Sequence, residues 1–374
     1  MARAYLDWAA GAPLHPAAAE AVGRALELGP GNPSSVHAAG RAARALLEKA
    51  REQVARLVGC EPRELIFTGS ATEANAAVVL GVARRAPEAV LAVGAAEHPS
   101  VLQAAAAAGT QGASVLSLGA DPSGRISPAA LAGRRAALVA VQLANNETGV
   151  VQPVAEVAAA AREAGAHFHC DAVQAAGKLD LAESWSRADS LALSAHKLGG
   201  LPGVGALALR RGVELPALVP GHQERGFRGG TPALPAIAAF GAVAEAASRE
   251  REARVRLLEE RSAALERLLR EIAPGVVIHG AAAPRIPGIV NARFPGADGE
   301  TLLVALDLAG IACSHGAACS TGAMEPSHVL LAMGLSAQEA RGTVRFSLGA
   351  TTSDAELAAL AAALPAALAS SRIG

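Results

Sequence analysis

No apolar run in this chain reaches the roughly 18 residues that a membrane-spanning helix requires. Alanine raises the hydrophobic fraction to 51%, but proline, glycine or a charge interrupts each run. The amino-terminal stretch MARAYLDWAAGAP lacks the apolar core and cleavage site of a secretory leader, so the expected location is the cytoplasm. A surplus of either charge is also missing. Thirty-three basic residues against thirty-four acidic ones give a formal net charge of −1, which supplies no electrostatic basis for binding nucleic acid or an acidic membrane. Small molecules are the expected ligands. Four cysteines, Cys60, Cys170, Cys313 and Cys319, contain no C-x-x-C pair. In a cytoplasmic chain they are expected to be reduced thiols, one of them free to react, and no metal site is expected.

Lysine is the scarcest chemistry-bearing residue: only Lys49, Lys178 and Lys197 stand against thirty arginines. Lys49 lies in the helical stretch RAARALLEKAREQVARL, where a solvated face is expected, and Lys178, in AAGKLDL, reads as a loop position. Lys197 differs. It follows the β-type run SLALS and precedes a turn containing Gly199, Gly200, Gly203 and Gly205, whose lack of side chains lets backbone approach a ligand closely. A lysine desolvated there can form a Schiff base with an aldehyde cofactor.

At 374 residues the chain is long for one core, so two lobes sharing an interface are expected. After an irregular start, Asn32-Pro33-Ser34-Ser35 offers turn and capping chemistry ahead of an amphipathic helix ending near Val58. Short apolar strands then alternate with helices from ELIFTG (64–69) to GALALR (205–210), the pattern of a mostly parallel sheet covered on both faces. A long helical stretch from Pro232 to about Ile272, with a break expected near Gly241, leads to a smaller α+β segment. The expected division is an amino-terminal segment (1–15) packing on the small lobe, a large domain (16–250) and a small domain (251–374). There is no internal repeat.

In such sheets ligands lie beyond the carboxyl ends of the strands, and there the remaining motifs fall. Gly69-Ser70-Ala71-Thr72-Glu73 sits at a strand-to-helix junction, where free N–H groups, a hydroxyl and the helix dipole suit a phosphate, although an ordinary helix cap reads the same way. His98 opens a helix, and Asn145-Asn146 can form a turn. Asp171, three residues before Gln174, is either a helix cap or a ring partner. Ser194 and His196 flank Lys197.

Taken together, Ser194-Ala195-His196-Lys197 and these motifs resemble the class V aminotransferase family, and within it the cysteine desulfurases of the NifS/IscS group. The resemblance runs from residue 32 to residue 347 and implies the fold type I of enzymes dependent on pyridoxal 5'-phosphate. It implies that Lys197 carries the cofactor, that Ala71, Thr72, Ser194 and His196 help hold it, and that His98 stacks on its ring and moves protons. Asp171 would face the pyridine nitrogen, Asn146 and Gln174 the phenolic oxygen, and Asn146 and Arg345 the substrate. GHQERGFRGGT (221–231) is similar to the family segment whose terminal threonine, here Thr231, meets the neighbouring subunit's cofactor, which implies a homodimer. This sequence departs from the family at three places: Gly69 and Ser70 are transposed, and His222 and Gly229 replace glycine and serine.

The nucleophile narrows the implied reaction. GAACSTG (316–322) followed by Met324-Glu325-Pro326-Ser327 resembles the NifS/IscS cysteine loop, with Cys319 as nucleophile and Cys313 as decoy. The implied activity converts L-cysteine to L-alanine and leaves a persulfide on Cys319 for acceptor or iron–sulfur scaffold proteins. A selenocysteine lyase or an aminotransferase would share the same fold. A catalytically silent subunit is disfavoured because Lys197, Asp171 and Cys319 are all present.

Overall fold

The computed structural model describes residues 4–86, 88–315 and 325–372. In chain order its elements are β1 (Ala4–Tyr5), α1 (Pro16–Glu27), α2 (Ala38–Val58), β2 (Leu65–Thr68), α3 (Ala71–Arg85), β3 (Val90–Gly94), α4 (Pro99–Gly109), β4 (Ser114–Leu118), β5 (Leu138–Ala140), α5 (Val154–Ala164) and β6 (His167–Asp171). They continue with α6 (Leu181–Arg187), β7 (Ser190–Ser194), β8 (Gly205–Leu209), α7 (Leu234–Ile272), β9 (Val277–Ile278), β10 (Ile289–Arg293), α8 (Gly299–Leu308), β11 (Ile311–Ala312), α9 (His328–Ala332), α10 (Ala337–Arg341), β12 (Thr343–Ser347) and α11 (Asp354–Ser370).

Seven strands form the central sheet in the order β2-β8-β7-β6-β5-β3-β4, with β8 alone running against the rest. Period-2 alternation sorts its side chains into two apolar layers. Leu65, Phe67, Val139, Phe168, Cys170, Leu191 and Leu193 join the cluster that includes α2, α5 and the first half of α7. Ile66, Leu138, Ala140 and Ala192 join the cluster under α3 and α4. Both faces are covered, as the continuously apolar strands predict.

A three-stranded antiparallel sheet, β12-β10-β9, has its own cluster with α8 and α11. Helix α7 serves both cores: Ile237 to Ala247 pack in the first, and Leu258, Leu265 and Leu269 in the second. The expected break at Gly241 is absent and the helix runs unbroken for 39 residues. Glycine is there for closeness, since a Cβ on Gly241 would come within 2.7 Å of the Cα of Ala50 on α2. The start of α2 also differs from expectation. Asn32 makes a local turn, its Oδ1 accepting from the Ser34 N–H at 2.9 Å, while His37 is the cap, Nδ1 accepting from the Gly40 N–H at 3.2 Å. The amino-terminal segment forms a strand that periodicity did not reveal, β1 pairing in parallel with β11.

One buried ion pair fixes the loop between β8 and α7. Arg51 on α2 forks onto both carboxylate oxygens of Glu224 at 2.7 and 2.8 Å and stacks over Phe67, and Glu224 also accepts the Phe67 N–H at 2.8 Å. Glu224 and Arg225 both hold left-handed φ, +46° and +58°, a strain that surrounding contacts must impose. Removing the carboxylate leaves the buried guanidinium only the half-exposed Glu48 and the Leu65 carbonyl as partners. Glu224→Ala is therefore expected to cost about 3–5 kcal/mol of stability, read from urea and thermal unfolding; a loss below about 1 kcal/mol would contradict a fully desolvated pair.

Candidate active site

The carboxyl ends of the parallel strands open onto a cavity of about 390 Å³. Ala71, Thr72, His98, Asn146, Asp171, Gln174, Ser194, His196, Lys197 and Arg345 all line it. Asp171 is the last residue of β6, and Lys197 follows the end of β7 by three. Strand order thus brings together residues that lie far apart in sequence.

Lys197 donates from Nζ to the carbonyls of Ala9 (2.8 Å) and Ala10 (2.7 Å). Burial, and then the nearby Arg345 charge, lower its pKa to about 8. Lys49 is exposed on α2. Lys178 lies in the loop where its sequence placed it, but it lines a second cavity, beside Arg254, and burial lowers its pKa to about 8 as well. Of the three lysines, Lys197 is the one that reaches the first cavity.

Asp171 accepts from the Val173 N–H at 3.0 Å on Oδ1 and from Asn75 Nδ2 at 2.7 Å on Oδ2. It is the local cap that its position allows, and also one member of a buried polar set. His98 accepts the Ser100 N–H on Nδ1 at 3.1 Å, and burial lowers its pKa, favouring the neutral ring. Asn145 spends its amide on the turn, accepting from the N–H groups of Glu147 and Thr148 and donating to the Ala96 carbonyl. Asn146 is thereby left facing the cavity, its buried Oδ1 without a partner among the described residues. Gln174 donates to the Ala9 carbonyl at 3.0 Å, and Ser194 Oγ meets His196 Nδ1 at 2.8 Å.

The start of α3 resolves the transposition. Ser70 is extended (φ −171°), a conformation open to any residue, and caps the helix by accepting the Glu73 N–H at 3.1 Å. The close fit lies one position earlier: a Cβ on Gly69 would lie 2.7 Å from Glu73 Oε2, which accepts the Gly69 N–H at 2.8 Å, so the Glu73 side chain would have to shift. The N–H groups of Ala71 and Thr72, in the first turn, have no preceding turn to bond and can hold a phosphate. Strand β8 passes so close beneath that a Cβ on Gly205 would come 2.4 Å from the Ser70 carbonyl carbon. Gly229 also follows from packing, since a Cβ there would meet the Pro220 carbonyl oxygen at 2.3 Å.

Arg345 on β12 donates to the Asn146 carbonyl (3.0 Å) and to Asp7 Oδ1 (2.8 Å), with Nε unbonded among the described residues. Thr231 lies away from this cavity, lining one of about 140 Å³ with Gly69, Gly203 and Arg228. Cys319 lies outside the described residues. Cys313 follows β11, where burial pushes its thiol up to about 12; Cys60 is pushed up to about 12 and fully buried Cys170 well above its usual value, all unfavourable for thiolates. The residues missed in the sequence are Asn75 and Ser100, which line the cavity, and Asp7 with the Ala9 and Ala10 carbonyls. Asn75 stands one helical turn beyond Ala71, a spacing that alone does not mark it as a site residue.

These residues fit pyridoxal phosphate: a helix start for its phosphate, a carboxylate for its ring nitrogen, a buried amide oxygen unpartnered among the described residues and a desolvated lysine share one cavity. The family model for aminotransferase class V matches residues 4–360. A cysteine desulfurase of Klebsiella pneumoniae is 42% identical over 98% of this chain and 92% of its own. An IscS-like cysteine desulfurase of Mycobacterium tuberculosis is 42% identical over 99% of this chain and 97% of its own. Among solved structures, a NifS-like protein superposes with a TM-score of 0.91 at 29% identity, covering 98% of this chain and 100% of that one. SspA in complex with cysteine gives 0.83 at 30% identity, covering 92% and 99%.

Lys197 must be neutral to attack an aldehyde, and its pKa is held near 8. Capture of pyridoxal phosphate by the cofactor-free protein should therefore accelerate about tenfold per pH unit up to about pH 8 and level off above it. Stopped-flow absorbance measures the rate, with Lys197→Ala as the blank. Acceleration continuing to about pH 10 would mean an unshifted lysine.

Proposed function

Because the chain belongs to the class V aminotransferase family, we infer that it is a pyridoxal-phosphate-dependent cysteine desulfurase, converting L-cysteine to L-alanine and passing the sulfur to Cys319. The observation that carries this reading is the convergence of Lys197, Asp171, His98, Asn146 and Arg345 on one cavity, in a chain 38–42% identical to several cysteine desulfurases over nearly its whole length.

Ala71 and Thr72 N–H groups would hold the cofactor's phosphate, Asp171 would keep a proton on its ring nitrogen, and Lys197 would anchor it. Pyridoxal phosphate, when bound, supplies an electron sink for bonds at the substrate's α-carbon. Arg345 offers a planar donor set for the substrate carboxylate, aimed by its bonds to Asp7 and the Asn146 carbonyl. Lys197, with its pKa lowered to about 8, can take the α-proton near neutral pH. The Cys319 thiolate then attacks the substrate sulfur. An S–S bond forms, the carbon–sulfur bond breaks with its electron pair staying on carbon, and a proton completes the alanine methyl group. Cysteine is reduced to alanine as Cys319 is oxidised to its persulfide, so no outside reductant enters.

The wider reading follows the same residues. Thr231, off its own cavity, would complete the partner's site in a homodimer, and the persulfide would supply acceptor or iron–sulfur scaffold proteins in the cytoplasm. None of the helices among the described residues is long and apolar enough to cross a membrane. Division near residues 15 and 250 is supported by β1 pairing with β11 and by α7 changing cores between Ala247 and Leu258.

Incubation with L-cysteine should yield alanine and sulfide in the presence of a thiol. Cys319→Ser should keep the cofactor's absorbance and its change on adding L-cysteine, yet lose alanine and sulfide production by about two orders of magnitude or more, because a serine hydroxyl scarcely ionises near neutral pH. Cys313→Ser is the matched control. Near-wild-type turnover by Cys319→Ser would remove the persulfide route, and pyruvate formation with an amino acceptor would favour a transaminase. Sedimentation should find a dimer, with Thr231→Ala weakening cofactor retention; an active monomer would sink the shared site.

A further inference from the structure

Strand β6 reads His167-Phe168-His169-Cys170-Asp171, and its alternation puts Phe168 and Cys170 in the apolar layer beneath the sheet and the other three on the opposite face. On that face they are not independent. His167 Nε2 lies 2.7 Å from Ser190 Oγ, Ser190 Oγ lies 2.8 Å from His169 Nδ1, His169 Nε2 lies 2.9 Å from Asn75 Oδ1, and Asn75 Nδ2 lies 2.7 Å from Asp171 Oδ2. Ser190 is paired with His169 by the register of β7 on β6. Asn75, His169 and Ser190 have no solvent exposure, and His167 at the far end is partly exposed.

The direction of every proton in this row follows from its last member. A carboxylate can only accept, so Asn75 must turn its NH₂ to Asp171; its second N–H goes to Ser100 Oγ at 2.9 Å. The amide oxygen therefore faces His169, which must carry its proton on Nε2. Nδ1 of His169 is then an acceptor, the Ser190 hydroxyl must donate to it, and the Ser190 oxygen is free to accept from His167 Nε2–H. Burial agrees, lowering the pKa of His169 to about 3 and so keeping it neutral, with the neighbouring His167 as the smaller cause.

We propose that His169 and Asn75 are positioning residues: His169, as the Nε2–H tautomer with Nδ1 accepting from Ser190, holds the Asn75 amide with its NH₂ toward Asp171, and so keeps Asp171 aimed at a ring nitrogen. The inference rests on the cofactor reading above, but its first test does not. Were the amide reversed, its oxygen would face the carboxylate and the pair would repel. Reversal would also invert the tautomer of His169 and the direction of the Ser190 hydroxyl, so the tautomer reports which way the amide faces.

Long-range ¹H–¹⁵N correlation on the purified wild-type protein, labelled with ¹⁵N-histidine, reads the tautomers directly. His169 and His167 should both show the Nε2–H pattern at pH 7, with His169→Gln and His167→Gln assigning the signals. An Nδ1–H or doubly protonated His169 would overturn the proposal whatever the cofactor. The second readout is equilibrium dialysis of pyridoxal phosphate with Asn75→Asp and Asn75→Ala. The isosteric aspartate puts a second acceptor against Asp171, so affinity should fall about ten- to hundredfold, and by less in the alanine variant, which merely removes the donor. A role in packing alone predicts the opposite order, and finding that order would overturn the proposal. Correct tautomers in a protein that binds no pyridoxal phosphate would count against the cofactor reading and leave the relay standing.

Discussion

The site depends above all on where Arg345 finds its partners. An arginine that is 3% exposed must be bonded, and its guanidinium ties strand β12 to two separate pieces of chain: the Asn146 carbonyl on the loop after β5, and Asp7 just after β1. Backbone bonds reinforce the meeting, because Ser314 and Arg345 exchange N–H groups and carbonyls, and Ser347 donates to the Leu6 carbonyl at 2.7 Å. The three-stranded sheet is thus fastened to the edge of the cavity by a side chain that is itself one of the cavity's charged walls.

Charge is crowded here and only partly balanced. Arg345 helps depress the pKa of Lys197, and Asp7 and Asp171 partly offset it. Desolvation is the largest effect on Lys197 and on His98, so closure of the cavity against water sets their protonation more than any single neighbour does. The carbonyls of Ala9 and Ala10 are suited to this environment, because they hold an ammonium without adding the anion that would raise its pKa again.

Much of this was legible in the sequence. Uninterrupted apolar strands such as SLALS and LIFT announce a sheet buried on both faces, and side chains at the carboxyl ends of such strands converge by geometry alone. Lys197, Asp171 and His98 could be read for that reason. Asn75 could not be picked out so readily, because a polar residue within a helix usually faces water and only the tertiary packing of α3 on the sheet buries it. Gly241 misled in the other direction, since its effect on helix propensity is visible locally and its fit against Ala50 is not. The β1–β11 pairing joins two-residue strands about three hundred positions apart, and strands so short have no periodicity to detect.

That pairing also bears on how the protein is made. Ala4 and Tyr5 are synthesised 307 residues ahead of their partners Ile311 and Ala312. At translation rates of about 5–20 residues per second, β1 waits roughly 15 to 60 seconds without its strand partner. Because that same segment supplies the Ala9 and Ala10 carbonyls that hold Lys197, the lysine is released from the ribosome well before its surroundings are complete. This end of the sheet is therefore sealed only when the strands from Ile311 onward arrive.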